Sequence, residues 1–264
     1  KSFAHVCSSI EEIFPKDISF KEAKAVCIGA AGVWDSTVRA IKLSHYWNGK
    51  ADVAEFERSQ EIDSSKVIIL NDFEAEIYSI RTQVARSAQK IRIGSGHVEA
   101  DKIILFGPGT GLGIAALVAN QERAFRSEGG NISLFLPRSS LFKSLWPKFL
   151  KFWEQNRNDT PRCEDLLSGS GLSDIHYVLT GKRLLPADVA AYINSNSNCD
   201  SAQIFSELLG VFAQSAAYMF WLPSHIYITG GVVKKNPILA TSKSFLNAFE
   251  SCTAHKEDLL TVSI

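Results

Sequence analysis

The sequence predicts an α/β protein, and two kinds of segment carry the prediction. Short apolar, β-branched runs end in glycine or a polar turn: Ala25-Val26-Cys27-Ile28 before Gly29, Val67-Ile68-Ile69-Leu70 before Asn71-Asp72, Ile103-Ile104-Leu105-Phe106 before Gly107, and Ile226-Tyr227-Ile228 before Thr229-Gly230-Gly231. Between them lie stretches whose apolar residues recur at threes and fours. Unbroken apolar runs of this length suit strands covered on both faces, whereas three-four spacing lines one face of a helix.

Taken in order, helices are expected near residues 9–14, 53–61, 73–81, 140–154 and 187–194. The clearest spans residues 202–222, where Ile204, Phe205, Leu208, Leu209, Phe212, Ala216, Met219 and Phe220 form a broad apolar face. A last helix is expected to open at Asn236-Pro237 and run through Phe245 and Phe249. Asparagine there can cap the free amides, and proline suits the first turn. A charged, helix-like stretch at residues 80–91, followed by Gly94-Ser95-Gly96, marks the expected junction between a small α/β domain, residues 1–83, and a large one, residues 84–264.

Composition narrows the partners. Lysine plus arginine equals aspartate plus glutamate, 28 each, so no net field draws the chain to nucleic acid or an acidic membrane surface. Five cysteines, Cys7, Cys27, Cys163, Cys199 and Cys252, are scattered without CxxC spacing, which speaks for a reducing cytoplasm and against a disulfide framework or zinc ribbon. No apolar run reaches the ~18 residues that span a bilayer. The expectation is a soluble cytoplasmic protein.

Five turns could carry chemistry. Glycines 107, 109, 111 and 113 flank Thr110 in Phe106-Gly107-Pro108-Gly109-Thr110-Gly111-Leu112-Gly113; such a turn can cradle a phosphate with bare amides or be a plain tight turn. It is neither a Walker A loop nor a clean dinucleotide fingerprint. Asn71-Asp72 closes a strand at the edge where α/β folds bind ligands. There Asp72 can take a proton from a hydroxyl, or the pair can cap the next helix. Glu128-Gly129-Gly130-Asn131 offers two groups that chelate hydroxyls, or a hairpin turn before Ile132-Ser133-Leu134-Phe135. Glu164 precedes a further Gly/Ser turn, Ser168-Gly169-Ser170-Gly171, and Gly230-Gly231 can let an adenine or ribose lie against bare backbone.

The order of these words resembles bacterial glucokinase, of the hexokinase and actin-like ATPase superfamily: Asn-Asp-Phe, Gly-x-Gly-Thr-Gly-Leu-Gly, Glu-Gly-Gly, Leu-Ser-Gly-x-Gly-Leu and Gly-Gly-Val-Val, over about residues 20–240. The resemblance implies a two-domain actin-like (ribonuclease H-like) fold with mixed sheets, flanking helices and an active-site cleft between domains. It further implies ATP-dependent phosphorylation of glucose, with Asp72 as catalytic base. Asn71, Glu128, Asn131 and Glu164 would hold sugar hydroxyls. Gly107, Gly109, Thr110 and Gly111 would hold ATP phosphates, and Gly230 and Gly231 would border adenosine. Mg2+ would ride on the phosphates rather than in a protein cage, and the family implies a homodimer.

Three departures stand out. Asn131 occupies the place of a family histidine. Leu43-Ser44-His45-Tyr46-Trp47 carries Ser44 where the family has asparagine. The family's opening Asp-x-Gly-Gly-Thr-x-x-Arg hairpin and closing Gly-rich segment do not occur, the chain starts at Lys1, and its one methionine is Met219. The 264 residues are therefore expected to be part of a longer protein. Two other readings stay open: a non-catalytic sugar-binding or regulatory protein on the same scaffold, and a dehydrogenase using the Gly107 turn for a dinucleotide.

Overall fold

The computed structural model describes residues 20–43, 49–96, 102–118, 123–133, 136–157 and 159–264, and the chain divides into two units, residues 1–80 and 81–264. The helix expected at residues 9–14 and the segment Ser44-His45-Tyr46-Trp47 lie outside the described residues.

In the first unit, β1 (Val26–Ala30) is followed by an antiparallel sheet of β2 (Gly32–Asp35), β3 (Ala40–Leu43) and β4 (Lys50–Asp52). Asp52 caps the helix Val53–Ser59 by accepting the Glu55 N–H at 2.8 Å. The chain then returns as β5 (Val67–Asn71), parallel to β1 from Val26↔Val67 to Ala30↔Asn71. This register puts both strand ends at one edge, where the helix Asp72–Tyr78 begins. Among the described residues, small apolar clusters in this unit include one of Val26, Phe56 and Ile62 and one of Ile41, Ala51 and Val53.

The expectation that β1 and β5 are covered on both faces needs correction. Cys27 is exposed and Ile68 is 48% exposed, because among the described residues each strand pairs only with the other and helix Asp72–Tyr78 packs against β1.

The second unit is built on a four-stranded sheet of β6 (Lys102–Pro108), β7 (Leu112–Val118), β8 (Arg123–Ser127) and β9 (His225–Ile228), in the order β8-β7-β6-β9. The β6–β7 and β7–β8 pairs are antiparallel and β6–β9 is parallel, so the sheet is mixed. Here the two-faced burial expected of the Ile103 run is found: Ile104 and Phe106 on one face are wholly buried and Leu105 on the other is 4% exposed. Helix Asp200–Met219 supplies most of the apolar face foreseen from its spacing, with Phe205, Leu208, Leu209 and Phe212 buried, but Met219 is 50% exposed and the helix ends before Phe220 rather than at residue 222. Phe212 meets Phe106 edge-on, ring centroids 5.1 Å apart, a geometry worth about 0.5–1.5 kcal/mol beyond burial alone. Helix Lys243–Phe249 packs on the same long helix through Phe245 and Phe249. Ser140–Asn156, Gly169–Thr180 and Pro186–Ser195 complete the helical layer.

Three local expectations are overturned. Residues 80–91 do not form a helix but two short 3₁₀ turns, Ser79–Arg81 and Gln83–Ser87, the second capped by Thr82. Asn236 does not cap the following helix. Its side chain turns back, Nδ2 donating to Val232 O at 3.1 Å, and it ends the helix Gly231–Lys235. The helix foreseen through Phe249 is split into Ile238–Thr241 and Lys243–Phe249. Ser242 is extended and caps the second piece by accepting from Phe245 N at 3.2 Å. No described helix is long and apolar enough to cross a membrane.

Candidate active site

Asn71 and Asp72 divide two jobs that the sequence left in competition. Asn71 is the cap of Asp72–Tyr78: its Oδ1 accepts from Phe73 N at 3.0 Å and Glu74 N at 3.4 Å, while the Glu74 carboxylate accepts from Asn71 N. This reciprocal capping box satisfies amides that a helix start leaves open. Asp72 is thereby placed in the first helical turn, half-buried, and no hydrogen bond or ion pair among the described residues engages its carboxylate. A negative charge is favoured at that end of a helix. The capped turn holds the carboxylate at the strand edge and leaves it available to a ligand.

In the second unit, three glycine-bearing segments meet. Gly107 lies within β6, paired with Gly113 and covered by Thr229, so the exposed part of this motif is the tip Gly109-Thr110-Gly111. Gly109 N donates to Gly111 O at 2.8 Å, closing the tip on itself. Gly109 O accepts from Gly169 N at 2.9 Å, which ties the tip to the start of Gly169–Thr180. Gly230 abuts the base of the tip with φ +93°, and a Cβ there would stand 2.4 Å from Pro108 O. Only glycine accepts both the left-handed backbone and that approach. Thr110 is exposed at the tip, offering a hydroxyl without charge.

The Ser168-Gly169-Ser170-Gly171 segment is not a turn but the start of a twelve-residue helix. Ser168 caps it, accepting from Gly171 N at 3.1 Å, and Leu172 and Ile175 bury its apolar face. Serine and glycine suit a cap followed by a crowded first turn, and this preference looks the same as a turn preference when the partners cannot be seen.

The polar candidates form a connected network. Residues Gly129–Asn131 make a single 3₁₀ turn rather than a hairpin. Gly130 is pressed against Leu112 at the start of β7, where a Cβ would come within 2.1 Å of the Leu112 carbonyl. The turn therefore sits on the strand that carries the glycine tip. Asn131 Nδ2 donates to the Glu128 carboxylate at 3.2 Å, and Asn131 Oδ1 accepts from Arg162 Nη1 at 2.7 Å. The same Nη1 lies 3.4 Å from the Glu164 carboxylate. Arg162 Nε and Nη2 grip Asp165, each at 3.0 Å, and these contacts hold the guanidinium pKa above its usual value, the Asp165 hydrogen bonds first among the causes. Glu128, Asn131 and Glu164 are thus brought together by Arg162, which the sequence reading did not single out. An arginine two residues before a glutamate carries no spacing signal; only the approach of residues 128–131 to 162–165 reveals it. Among the described residues, no group of three or more His, Cys, Asp or Glu side chains could hold a metal ion.

Mixed sheets flanked by helices, with a glycine tip and a carboxylate-amide network on one strand pair, define the class: an α/β protein with a mixed sheet under a helical layer. The glucokinase from Balamuthia mandrillaris, solved in complex with glucose, has this fold, with a TM-score of 0.78 over 99% of this chain and 77% of that one at 17% identity. So has a ROK family glucokinase from Streptomyces griseus in complex with glucose and AMPPNP, with a TM-score of 0.60 over 94% of this chain and 77% of that one, also at 17% identity.

The chain belongs to the glucokinase family, which it matches over residues 1–264. The glucokinase of Rhizobium etli is 28% identical over 207 residues, covering 74% of this chain and 59% of the relative. The chain thus spans less than two thirds of the length of that curated relative.

Proposed function

We propose that the protein phosphorylates glucose: the γ-phosphoryl of ATP passes to the sugar 6-hydroxyl, giving glucose 6-phosphate, ADP and a proton. The observation that carries this reading is the construction of the β6–β7 pair. Its tip, Gly109-Thr110-Gly111, is suited to phosphate oxygens, and the Glu128–Asn131 turn, suited to hydroxyls, is seated on the first residue of β7. Glucose and AMPPNP in the Streptomyces griseus relative support the same pairing of ligands.

In this reading Asp72 accepts the proton of the attacking hydroxyl, the role a positioned carboxylate plays in phosphoryl transfer to an alcohol. Asn71 keeps its side-chain nitrogen for a neighbouring hydroxyl while its oxygen caps the helix. Glu128 and Glu164 accept from further hydroxyls. Thr110 and the amides beside it hold phosphate oxygens, and the bare backbone of Gly230-Gly231 borders the nucleoside. Magnesium would arrive on the ATP phosphates, a mode it favours over all-protein cages, and when bound it would neutralise charge there. The two-domain actin-like description, a cytoplasmic location and a homodimer go with this reading.

A coupled assay for ADP release across hexoses, run on the full-length protein with magnesium and ATP, tests it. Glucose-dependent turnover is expected, and Asp72→Ala should lower kcat by about 10²–10⁴-fold with glucose binding largely retained. No turnover with any hexose would sink the enzyme reading, and saturable glucose binding without turnover would point to the non-catalytic sugar-binding alternative.

A further inference from the structure

Arg162 has two edges with different work. Its Nε–Nη2 edge is clamped to Asp165, whose side chain is 5% exposed, and its backbone N–H adds a third bond to the same carboxylate at 2.8 Å. A planar fork held by a buried carboxylate has its orientation set by the fold. The Nη1 edge is then aimed at Asn131 Oδ1 and the Glu164 carboxylate. Asn131 passes the constraint on, because its Nδ2 is bonded to Glu128.

The chain Asp165–Arg162–Asn131–Glu128, with Glu164 as a branch, sets the separation of two carboxylates that would otherwise repel. One hydrogen and one lone pair of the Asn131 amide remain for a ligand. Glu128 and Asn131 are exposed, and exposed polar contacts of this kind contribute little to folding. The Nη1 edge is therefore dispensable for stability.

We propose that Arg162 is a positioning residue of the sugar subsite, setting the spacing of Glu128 and Glu164 through Asn131 and directly. This rests on the glucose-phosphorylating reading above. Arg162→Lys keeps a cation beside Asp165 but cannot reach Asn131 and Glu164 at the same time. Asn131→Ala cuts the link to Glu128 without touching the Asp165 clamp.

The test is a double-mutant cycle of these two substitutions in the full-length protein, read as KM for glucose, KM for ATP, kcat, glucose dissociation constant by calorimetry, and thermal midpoint. Expected for Arg162→Lys is a rise in the glucose KM and dissociation constant of about tenfold or more, with kcat and the ATP KM within about threefold, the pattern of lost ground-state binding. The thermal midpoint should stay near wild type in Asn131→Ala, which leaves the Asp165 clamp whole. The double variant should bind glucose less tightly than Arg162→Lys, but by less than the two single effects multiplied together, since the substitutions share one linkage.

Wild-type turnover with unchanged glucose KM in Arg162→Lys overturns this inference alone. So does a loss shared equally by glucose KM, ATP KM and thermal midpoint, which would make Arg162 a structural clip. If the wild type binds glucose without turning it over, the dissociation constants decide in the same way. A wild type that neither phosphorylates nor binds any hexose overturns both readings.

Discussion

In the second unit β6 lies between β7 and β9 with Ile104 and Phe106 wholly buried, whereas in the first β1 and β5 pair with each other and leave Cys27 and much of Ile68 in solvent. The same kind of apolar run thus has two fates. In the second, Phe205, Phe212, Phe245 and Phe249 form part of one continuous core; among the described residues of the first, the clusters around Phe56 and Ile41 have three buried members each. Free energy of local opening tracks buried apolar contact. On the described residues, the network around Arg162 and the glycine tip stand on the unit with the larger continuous core, and Asp72 stands on the one with the smaller clusters.

The largest way to break this comparison is a pair of core truncations. Phe212→Ala should cost about 3–5 kcal/mol in chemical denaturation, the range for a buried phenylalanine, because it also removes the edge-on contact with Phe106. Phe56→Ala should cost less, since among the described residues it belongs to a cluster with only two other buried members, Val26 and Ile62. Equal losses would mean that the first unit is as tightly held as the second.

A smaller effect sharpens the same contrast. Asn71→Ala removes the side-chain half of the capping box, leaving the Glu74 bond to the backbone N–H of residue 71, and should destabilise the first unit by about 1 kcal/mol. Hydrogen exchange should then accelerate through residues 72–78 and leave residues 102–108 unchanged. Equal acceleration in β6 would show that the two units do not open independently.

The smallest is a pH effect confined to the second unit. His176 is buried, bonded through Nδ1 to Ser201 Oγ at 3.0 Å and set edge-on against Tyr192. Burial first, and the Lys182 charge second, push its pKa below the usual value. The folded state therefore binds the proton less readily than the unfolded one. Stability is fully present above the unfolded histidine value, about 6.5, and declines as pH falls through it toward the folded value. Denaturation midpoints measured across this window should drop on the acid side in the wild type and flatten in His176→Asn. A flat wild-type profile would remove His176 as the cause.

Much of this was legible along the chain. The strand at Ile103 declares itself by an unbroken apolar run and the helix around Phe205 and Phe212 by apolar residues recurring at threes and fours, and each signal falls within one short window. A cap at Asn71-Asp72 was legible because capping is also local, although which of the two is the cap and which the first helical residue was not. Where two local readings shared one residue pattern, the sequence was mute: Ser168-Gly169 reads equally as a turn or a helix start, and Asn236-Pro237 suggested a cap where the amide turned back to Val232 instead.

The residues by themselves determined the α/β class, the family, and the order of the glycine and carboxylate motifs, because these depend on neighbours within a few positions. Only the tertiary structure decided that Gly109 is bonded to Gly169, that Gly230 is pressed against Pro108, and that Arg162 joins Asn131 to Glu164. Those partners lie tens to more than a hundred residues apart, and no periodicity in a sequence records which distant side chains the packing of a sheet will bring within hydrogen-bond reach.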